Sequence, residues 1–265
     1  MLNCNEIKSV AIAGMGNVGI HFAKAFDKAG IKITHLFSRD PAAVSNIAKK
    51  YHCDSLKYGD KILSPPDLIL LCVPDSVIRT VGNLFNEPDS IIAHVSGSTG
   101  LEALQESPSY TGVFYPLQTF SKDVPLNIEN IPFCIEGSNL QTENLLKNLA
   151  SCLSNFVYSV DSEQRKALHV SAVFACNFTN HLASISMALL EKSNLDFNML
   201  IPLLEQTYNK LKTASPKESQ TGPAIRGDQS TISDHIDFLK NCPEERELYR
   251  LLSENIKKYG GKTDE

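Results

Sequence analysis

The stretch Val10–Gly30, VAIAGMGNVGIHFAKAFDKAG, contains three glycines at the junction of a short apolar strand and a helix. Gly14, Gly16 and Gly19 have the GxGxxG spacing, which is a weak signal alone and a much stronger one between a strand and a helix. Backbone amides at the start of such a helix attract phosphate charge. The stretch therefore predicts the first strand–turn–helix unit of a dinucleotide-binding domain.

Each glycine of this motif has its own predicted task. Gly14 permits the tight turn, Gly16 lets the backbone approach a pyrophosphate, and Gly19 lets the helix pack closely on the strand. The residues between them complete the predicted cofactor-binding segment: Met15, Asn17 and Val18. The alternative is that the glycines serve an ordinary turn.

The end of the second predicted strand discriminates between the two nicotinamide cofactors. An acidic residue about 20 positions after the glycines would bind the ribose hydroxyls of NAD. This strand ends instead in Ser38 and Arg39, a hydroxyl and a guanidinium that suit the 2′-phosphate of NADP. Asp40 precedes Pro41 and is interpreted as a helix cap. NADP is therefore the expected cofactor, unless Arg39 is only a solvated surface charge.

Outward from this unit, short runs rich in Val and Ile alternate with helical segments, which is typical of a parallel sheet flanked by helices. After Asp161 the strand signals end and long amphipathic segments follow. The fold class is therefore α/β: a Rossmann-type parallel-sheet domain over residues 1–160, then an all-helical domain over 161–265. The strands are predicted at Ser9–Ala13, Lys32–Phe37, Leu68–Val73, Ile91–Val95, Gly112–Tyr115, Phe133–Glu136 and Phe156–Ser159. The long helices of the second half are predicted at Glu163–Lys192, Met199–Lys212, Ile232–Lys240 and Glu244–Lys258, and Ser215–Ser230 as one extended loop.

Composition narrows the class of protein. The 265 residues have a net charge of −5 without a long basic run, so nucleic-acid binding is not expected. The N-terminus lacks the pattern of a secretory signal, and no apolar run approaches the roughly 18 to 20 residues that span a bilayer. The seven cysteines are scattered, without ligand-like spacing, and are interpreted as free thiols with no metal site. We expect a cytoplasmic protein without a membrane partner.

The long helix of the second domain has polar residues at steps of three or four: Lys166, His169, Asn177 and His181, with Val173 among them. They either line a cleft against the first domain or pair across a dimer interface. Lys166 or His169 is the candidate proton donor to a carbonyl or imine, and Asn177 the candidate that orients the substrate.

The polar segment from Thr221 to Asp228 contains an isolated Arg–Asp couple among turn-forming residues. Arg226 is a candidate clamp for a substrate carboxylate. Alternatively it pairs with Asp228 to hold the loop, or the loop reaches the cleft of a second subunit.

Several motifs together resemble a known family: GMGNVG, LCVPDSVI, HVSGSTG, FYPLQTF, RKALHVSAVFACNFTNHL and GPAIRGD. They look like the uncharacterised proteins that join a Rossmann-like domain to a helical domain of unknown function and are often labelled NADP oxidoreductases. More distantly the chain is similar to pyrroline-5-carboxylate reductases and to 6-phosphogluconate and 3-hydroxyacid dehydrogenases. The resemblance implies NADP, a small-molecule substrate and a homodimer formed through the helical domain.

The same resemblance implies roles for residues that follow the later strands. Val73 and Pro74 would lie beside the nicotinamide ribose, and Ser96 and Gly97 near the nicotinamide ring. Pro116, Gln118 and Thr119 replace a Pro-Asn-Thr turn of the pyrroline carboxylate reductases, with Gln118 and Thr119 near the substrate. GPAIRGD stands where those reductases have SPGGTT, so reduction of pyrroline-5-carboxylate is not expected.

Three functions remain open at this point. The first is an NADP(H)-dependent oxidoreductase that transfers hydride to or from a small carbonyl or imine held between the domains. The second is a non-catalytic NADP-binding sensor or dimeric scaffold. The third is a deazaflavin-dependent NADP reductase with a similar first domain.

Overall fold

A computed structural model describes residues 6–107, 110–122 and 124–260. The chain divides into two compact units, the first ending at Ala175 and the second beginning at Cys176. The division lies inside a continuous helical segment, Ser162–Glu191. The predicted boundary near Asp161 stays a prediction.

The first unit is an eight-stranded sheet in the order β3-β2-β1-β4-β5-β6-β7-β8. All neighbouring strands are parallel except β6 and β7, which pair antiparallel. The prediction of a Rossmann-type sheet is confirmed, with one antiparallel pair that hydrophobic periodicity does not reveal. The strands are β1 Ser9–Ala13, β2 Lys32–Ser38, β3 Asp54–Lys57, β4 Leu68–Leu71, β5 Ile91–His94, β6 Tyr110–Pro116, β7 Phe133–Gly137 and β8 Val157–Ser159.

Helices cover both faces of this sheet, and its central strands are completely buried. The four residues of β4 and the apolar residues of β5 have no exposed surface, and each such aliphatic side chain contributes about 1.5–3 kcal/mol on burial. The α-helices of this unit are α1 Asn17–Lys28, α2 Pro41–Lys50, α3 Ile78–Gly82, α4 Leu140–Ser151 and α5 Ser162–Ala172.

Two helix starts follow from local sequence. Asp40 accepts a hydrogen bond from the amide of Ala42 at 3.0 Å, and Pro41 is the first residue of α2, as predicted. Asp161 and Gln164 form a capping box at the start of α5. The sequence does not predict strand β3, because DSLK is short, polar and at the sheet edge, where little burial is needed.

The second unit is helical within its described residues, as predicted, but its details differ. Val173–Phe178 forms π-helical turns between α5 and α6, so steps of three and four counted along one regular helix do not apply across it. The segment predicted as one extended loop contains two short helices, each with a proline in its first turn. The helices are α6 Thr179–Glu191, α7 Ile201–Lys210, α8 Pro216–Ser219, α9 Pro223–Arg226, α10 Gln229–Phe238 and α11 Pro243–Gly260.

One helical segment departs from the expectation that no run is long and apolar enough to cross a bilayer. Ser162–Glu191 has 30 residues and a most apolar window of mean hydropathy 1.3, none of it buried. By length and composition alone it is long and apolar enough to cross a membrane, a test that a helix of a soluble protein also passes. The expectation of a protein without a membrane partner therefore stays a prediction.

Candidate active site

The glycine turn lies where the strand order reverses, between β1 and β4. Open parallel sheets bind ligands at this switch point, beyond the carboxyl ends of the strands. Gly14 has φ = +101°, and a Cβ there would lie 2.4 Å from the carbonyl oxygen of Cys72. A Cβ on Gly19 would lie 2.0 Å from the carbonyl oxygen of Gly14. Both positions therefore require glycine for the turn itself.

Gly16 differs from these two glycines because its Cβ would meet no atom within 4 Å. It is the N-cap of α1, and no side chain caps the amides of the first turn. The protein's own packing therefore does not explain the lack of a side chain at Gly16. Open space beside uncapped amides fits an incoming phosphate group.

The loop after β6 is joined to the start of α1 by two hydrogen bonds. Asn17 donates through Nδ2 to the carbonyl oxygen of Phe120 at 3.1 Å, and His21 donates through Nε2 to that of Ser121 at 2.9 Å. Gln118 accepts through Oε1 from the amide of Thr119 at 2.8 Å. The Asn17 side chain thus connects the start of α1 to the loop after β6.

Ser38 and Arg39 lie at the carboxyl end of β2, next to β1. Ser38 accepts through Oγ from the amide of Asp40 at 3.2 Å. Arg39 is exposed and forms no ion pair with any residue in the described part of the chain. A guanidinium at this sheet edge without a carboxylate partner suits a phosphate group.

Val73 and Pro74 follow β4, and Ser98 follows β5. The two loops are linked by the hydroxyl of Ser98, which donates to Oδ2 of Asp75 at 2.6 Å. Asp75 starts a 3-10 turn directly after Pro74. The two loops that the resemblance places near the nicotinamide therefore lie side by side at one edge of the sheet.

The residue that the sequence analysis missed at this edge is Tyr115, at the end of β6. Its hydroxyl lies 3.1 Å from Nδ1 of His169, on α5. Gly97 packs directly on the pair, because a Cβ there would lie 2.5 Å from Nδ1 of His169 and 2.7 Å from Cζ of Tyr115. Two predicted site residues and one unpredicted tyrosine thus meet in a single contact.

Electrostatics keep the tyrosine in its neutral form. Burial, and then the neighbouring thiol of Cys134, raise the pKa of Tyr115 to about 12. The phenol is therefore protonated throughout the physiological range and is able to donate a hydrogen bond or a proton. Lys166, the other candidate donor, is exposed on the same helix.

Candidate residues in the second unit are described separately. Asn177 lies in the π-helical turns, and Arg226 is exposed in α9. Asp228 caps α10 through a hydrogen bond from the amide of Thr231 at 3.1 Å. That bond and one from the Thr231 hydroxyl lower the pKa of Asp228, and Arg226 adds a smaller lowering.

The chain matches two family models: a Rossmann-like domain over residues 4–117 and a domain of unknown function, DUF2520, over residues 131–256. No curated protein matches the sequence. Among solved structures, a candidate NADP oxidoreductase from Bacteroides fragilis is 35% identical, with 96% of this chain and 98% of that chain covered and a TM-score of 0.86.

Two further solved structures share the fold at low identity. A reductive aminase from Aspergillus terreus, in complex with NADPH4, cyclohexanone and allyl amine, is 13% identical, with coverage of 87% and 77% and a TM-score of 0.60. A 1-pyrroline-5-carboxylate reductase from Streptococcus pyogenes is 12% identical, with coverage of 96% and 100% and a TM-score of 0.61. The resemblance stated from the motifs is thereby confirmed. The chain belongs to the family of proteins, represented by the Bacteroides fragilis structure, in which a Rossmann-like domain precedes a DUF2520 domain.

Proposed function

We propose that the protein is an NADP(H)-dependent oxidoreductase that transfers hydride to or from a small carbonyl or imine. This proposal rests on the Tyr115–His169 pair, which packs on Gly97 at the same sheet edge as the glycine turn. A sensor or scaffold would have no need of a protonated phenol and an imidazole in hydrogen-bond contact beside a dinucleotide site.

The glycine segment, Gly14 to Gly19, would hold the cofactor's pyrophosphate on the uncapped amides of α1. Ser38 and Arg39 would bind the 2′-phosphate, and Val73, Pro74 and Ser96 the nicotinamide half. The Bacteroides fragilis relative is described as a candidate NADP oxidoreductase, which supports the choice of cofactor. When bound, the nicotinamide supplies or accepts the hydride.

Tyr115 and His169 would handle the proton that accompanies the hydride. If the phenol donates to Nδ1, the imidazole has its proton on Nε2; if Nδ1 donates, the phenolic proton is free for the substrate. In either arrangement the pair presents one N–H or O–H donor to a developing alkoxide or amine. The exposed position of Lys166 favours His169 of the two donors predicted from sequence.

The substrate contacts are further parts of this proposal. Gly97, Gln118 and Thr119 lie in loops at the sheet edge, and Asn177 and Arg226 of the helical unit would orient the substrate. A carbonyl or imine is proposed because its reduction takes up one hydride and one proton, which the nicotinamide and this donor would supply. The reductive aminase and the reductase named above share only the fold, and their substrates are not transferred to this chain.

The helical unit would form a homodimer in the cytoplasm, without a membrane. Large apolar side chains of this unit are exposed: Met187, Leu195, Met199, Leu203, Tyr208 and Leu211. Met199 is 65% exposed and Leu203 63% exposed, and an apolar surface of this kind is typical of a subunit interface. Sedimentation of the purified protein at several concentrations tests the dimer.

Turnover is tested with a panel of small aldehydes, ketones and cyclic imines, following loss of NADPH absorbance. At least one class should be reduced by the wild type. Tyr115→Phe and His169→Gln should each lower kcat by about 10²–10⁴-fold, the range of general acid catalysis. Tyr110→Phe, at the opposite end of the same strand, is the matched control and should retain activity.

NADPH binding without turnover of any panel member would contradict the proposal and favour the non-catalytic sensor. Equal activity of Tyr115→Phe and the wild type would remove the tyrosine from the proton transfer.

A further inference from the structure

Arg165 is a fully buried cation that the proposed chemistry does not use. It lies on α5, one turn before His169. Its guanidinium forms an ion pair with Glu136 of β7, and Nη2 donates to the carbonyl oxygen of Thr99 at 2.7 Å and to Oγ of Ser162 at 3.1 Å. One side chain therefore joins α5 to the sheet and to the loop after β5.

The loop after β5 is itself held in a fixed shape. Ser96 accepts through Oγ from the amides of Ser98 at 3.1 Å and Thr99 at 2.9 Å. The amide of Ser96 donates to Nδ1 of His94 at 3.2 Å. Gly97 thus lies in a segment fixed at its first residue by His94 and at Thr99 by Arg165.

The contribution to stability alone does not explain the buried ion pair of Arg165 and Glu136. Nε of Arg165 is buried without a hydrogen-bond partner among the described residues. A buried ion pair adds little net stability because both charges lose their hydration. What the ion pair does provide is a fixed geometry.

The fixed geometry matters at one contact. Arg165 and His169 are four residues apart and therefore share a face of α5. Their helix meets the loop so closely that no Cβ fits between Gly97 and His169. A small shift of α5 would therefore change the 3.1 Å contact between His169 and Tyr115.

We propose that Arg165 is a positioning residue: by clamping α5 to the Thr99 carbonyl and to Glu136, it holds the His169 imidazole in hydrogen-bond contact with Tyr115. The contact is a feature of the structure, and only its consequence for turnover rests on the proposed function.

The test observes the contact directly by NMR of histidine labelled in the ring, with the His169 signal assigned through its loss in His169→Gln. Introduced into the wild type, Tyr115→Phe should shift this signal. Arg165→Met alone should shift it too. Introduced into Arg165→Met, Tyr115→Phe should then shift the signal by less than half as much as it does in the wild-type background. An unchanged His169 signal in Arg165→Met, with the full response to Tyr115→Phe, would overturn the proposal.

Two further variants keep the test decisive if Arg165→Met does not fold. Arg165→Lys retains the charge, but a single ammonium cannot reproduce the paired contacts to Glu136 and Thr99, so the His169 signal should shift. Glu136→Gln removes the charge partner and should shift it in the same direction. If both leave the signal in place, the proposal is wrong.

The matched control is Arg79→Met, which breaks an exposed arginine–glutamate pair with Glu106 at 3.4 Å and should leave the His169 signal unchanged. NADPH affinity should stay within twofold in Arg79→Met, which is remote from the loop after β5. With an active substrate, Arg165→Met should lower kcat at least tenfold at saturating NADPH. Failure of the wild type to bind NADPH would refute the proposed function and leave the NMR test of Arg165 valid.

Discussion

Gly97→Ala should disrupt the contact on which the proposed chemistry depends. The added Cβ would lie 2.5 Å from Nδ1 of His169 and 2.7 Å from Cζ of Tyr115, whereas unstrained contacts are about 3.5–4 Å. Both neighbours are ring atoms of partly buried side chains, so at least one ring must turn or shift by roughly 1 Å. Overpacking of this kind costs about 1–3 kcal/mol, and loss of the hydrogen bond between the rings adds about 1 kcal/mol.

The assay is thermal unfolding together with NMR of the His169 ring. For a protein of this size each kcal/mol lowers Tm by about 2–4 °C, so Gly97→Ala should unfold several degrees below the wild type and shift the His169 signal. Gly16→Ala is the matched control. Its Cβ meets nothing, so stability should change by less than about 1 kcal/mol.

The same control separates packing from cofactor binding. Gly16→Ala places a methyl group where the pyrophosphate would approach, so NADPH affinity should fall at least tenfold, or about 1.4 kcal/mol. If Gly97→Ala retains wild-type stability and an unchanged His169 signal, Gly97 is not the close contact described here. If Gly16→Ala binds NADPH as tightly as the wild type, the glycine turn does not hold a phosphate.

Three further perturbations separate cofactor choice, proton transfer and the buried polar cluster. Arg39→Asp should cost about 1.5–3 kcal/mol of NADPH binding, a loss of roughly tenfold or more by calorimetry, while NADH binding changes little or improves; an unchanged ratio would exclude Arg39 from cofactor choice. Because burial raises the pKa of Tyr115 to about 12, turnover should not show an alkaline fall from this phenol between pH 7 and 10, and a Tyr115-dependent fall there would contradict its environment. Burial, and then Arg165, lower the pKa of His94 to about 4. His94 therefore contributes to the free energy of unfolding above its unfolded-state pKa of about 6.5. This contribution is lost as pH falls from about 6.5 towards 4, by about 2 kcal/mol at pH 5. His94→Asn should therefore show a flatter stability profile between pH 7 and 5 in urea unfolding, and equal slopes would refute this origin.

Most of the first unit could be predicted because its signals are local. Strand β1, the glycine turn and the Asp40 cap depend on neighbouring residues, and the structure has all three. The four apolar residues of β4 indicate a buried central strand without reference to the rest of the chain. Strand β3 has no such signal, because it is a polar edge strand held by its pairing with β2.

The candidate site could be predicted only in part, because its decisive contacts join distant segments. Tyr115 ends an apolar strand, where a tyrosine is an ordinary core residue, and only the fold brings α5 onto it. Arg165 did leave a signal, since it lies four residues before His169 on the same helical face. Its partner Glu136 is 29 positions away, and no spacing rule connects them.

The second unit shows a different limit. The prediction that polar residues at steps of three or four share one face assumed one regular helix. The π-helical turns from Val173 to Phe178 change the number of residues per turn there. No residue type in this segment marks such turns, which depend on packing. The proposed roles of Asn177 and Arg226 therefore remain predictions.

Calorimetric titration of the purified protein with NADPH and NADH in parallel tests the central claim most directly. The account predicts that NADPH binds at least tenfold more tightly than NADH, because Arg39 lies at the end of β2 without a carboxylate partner among the described residues. Equal affinities would contradict the choice of NADP. Binding of neither cofactor would contradict the proposed oxidoreductase as a whole.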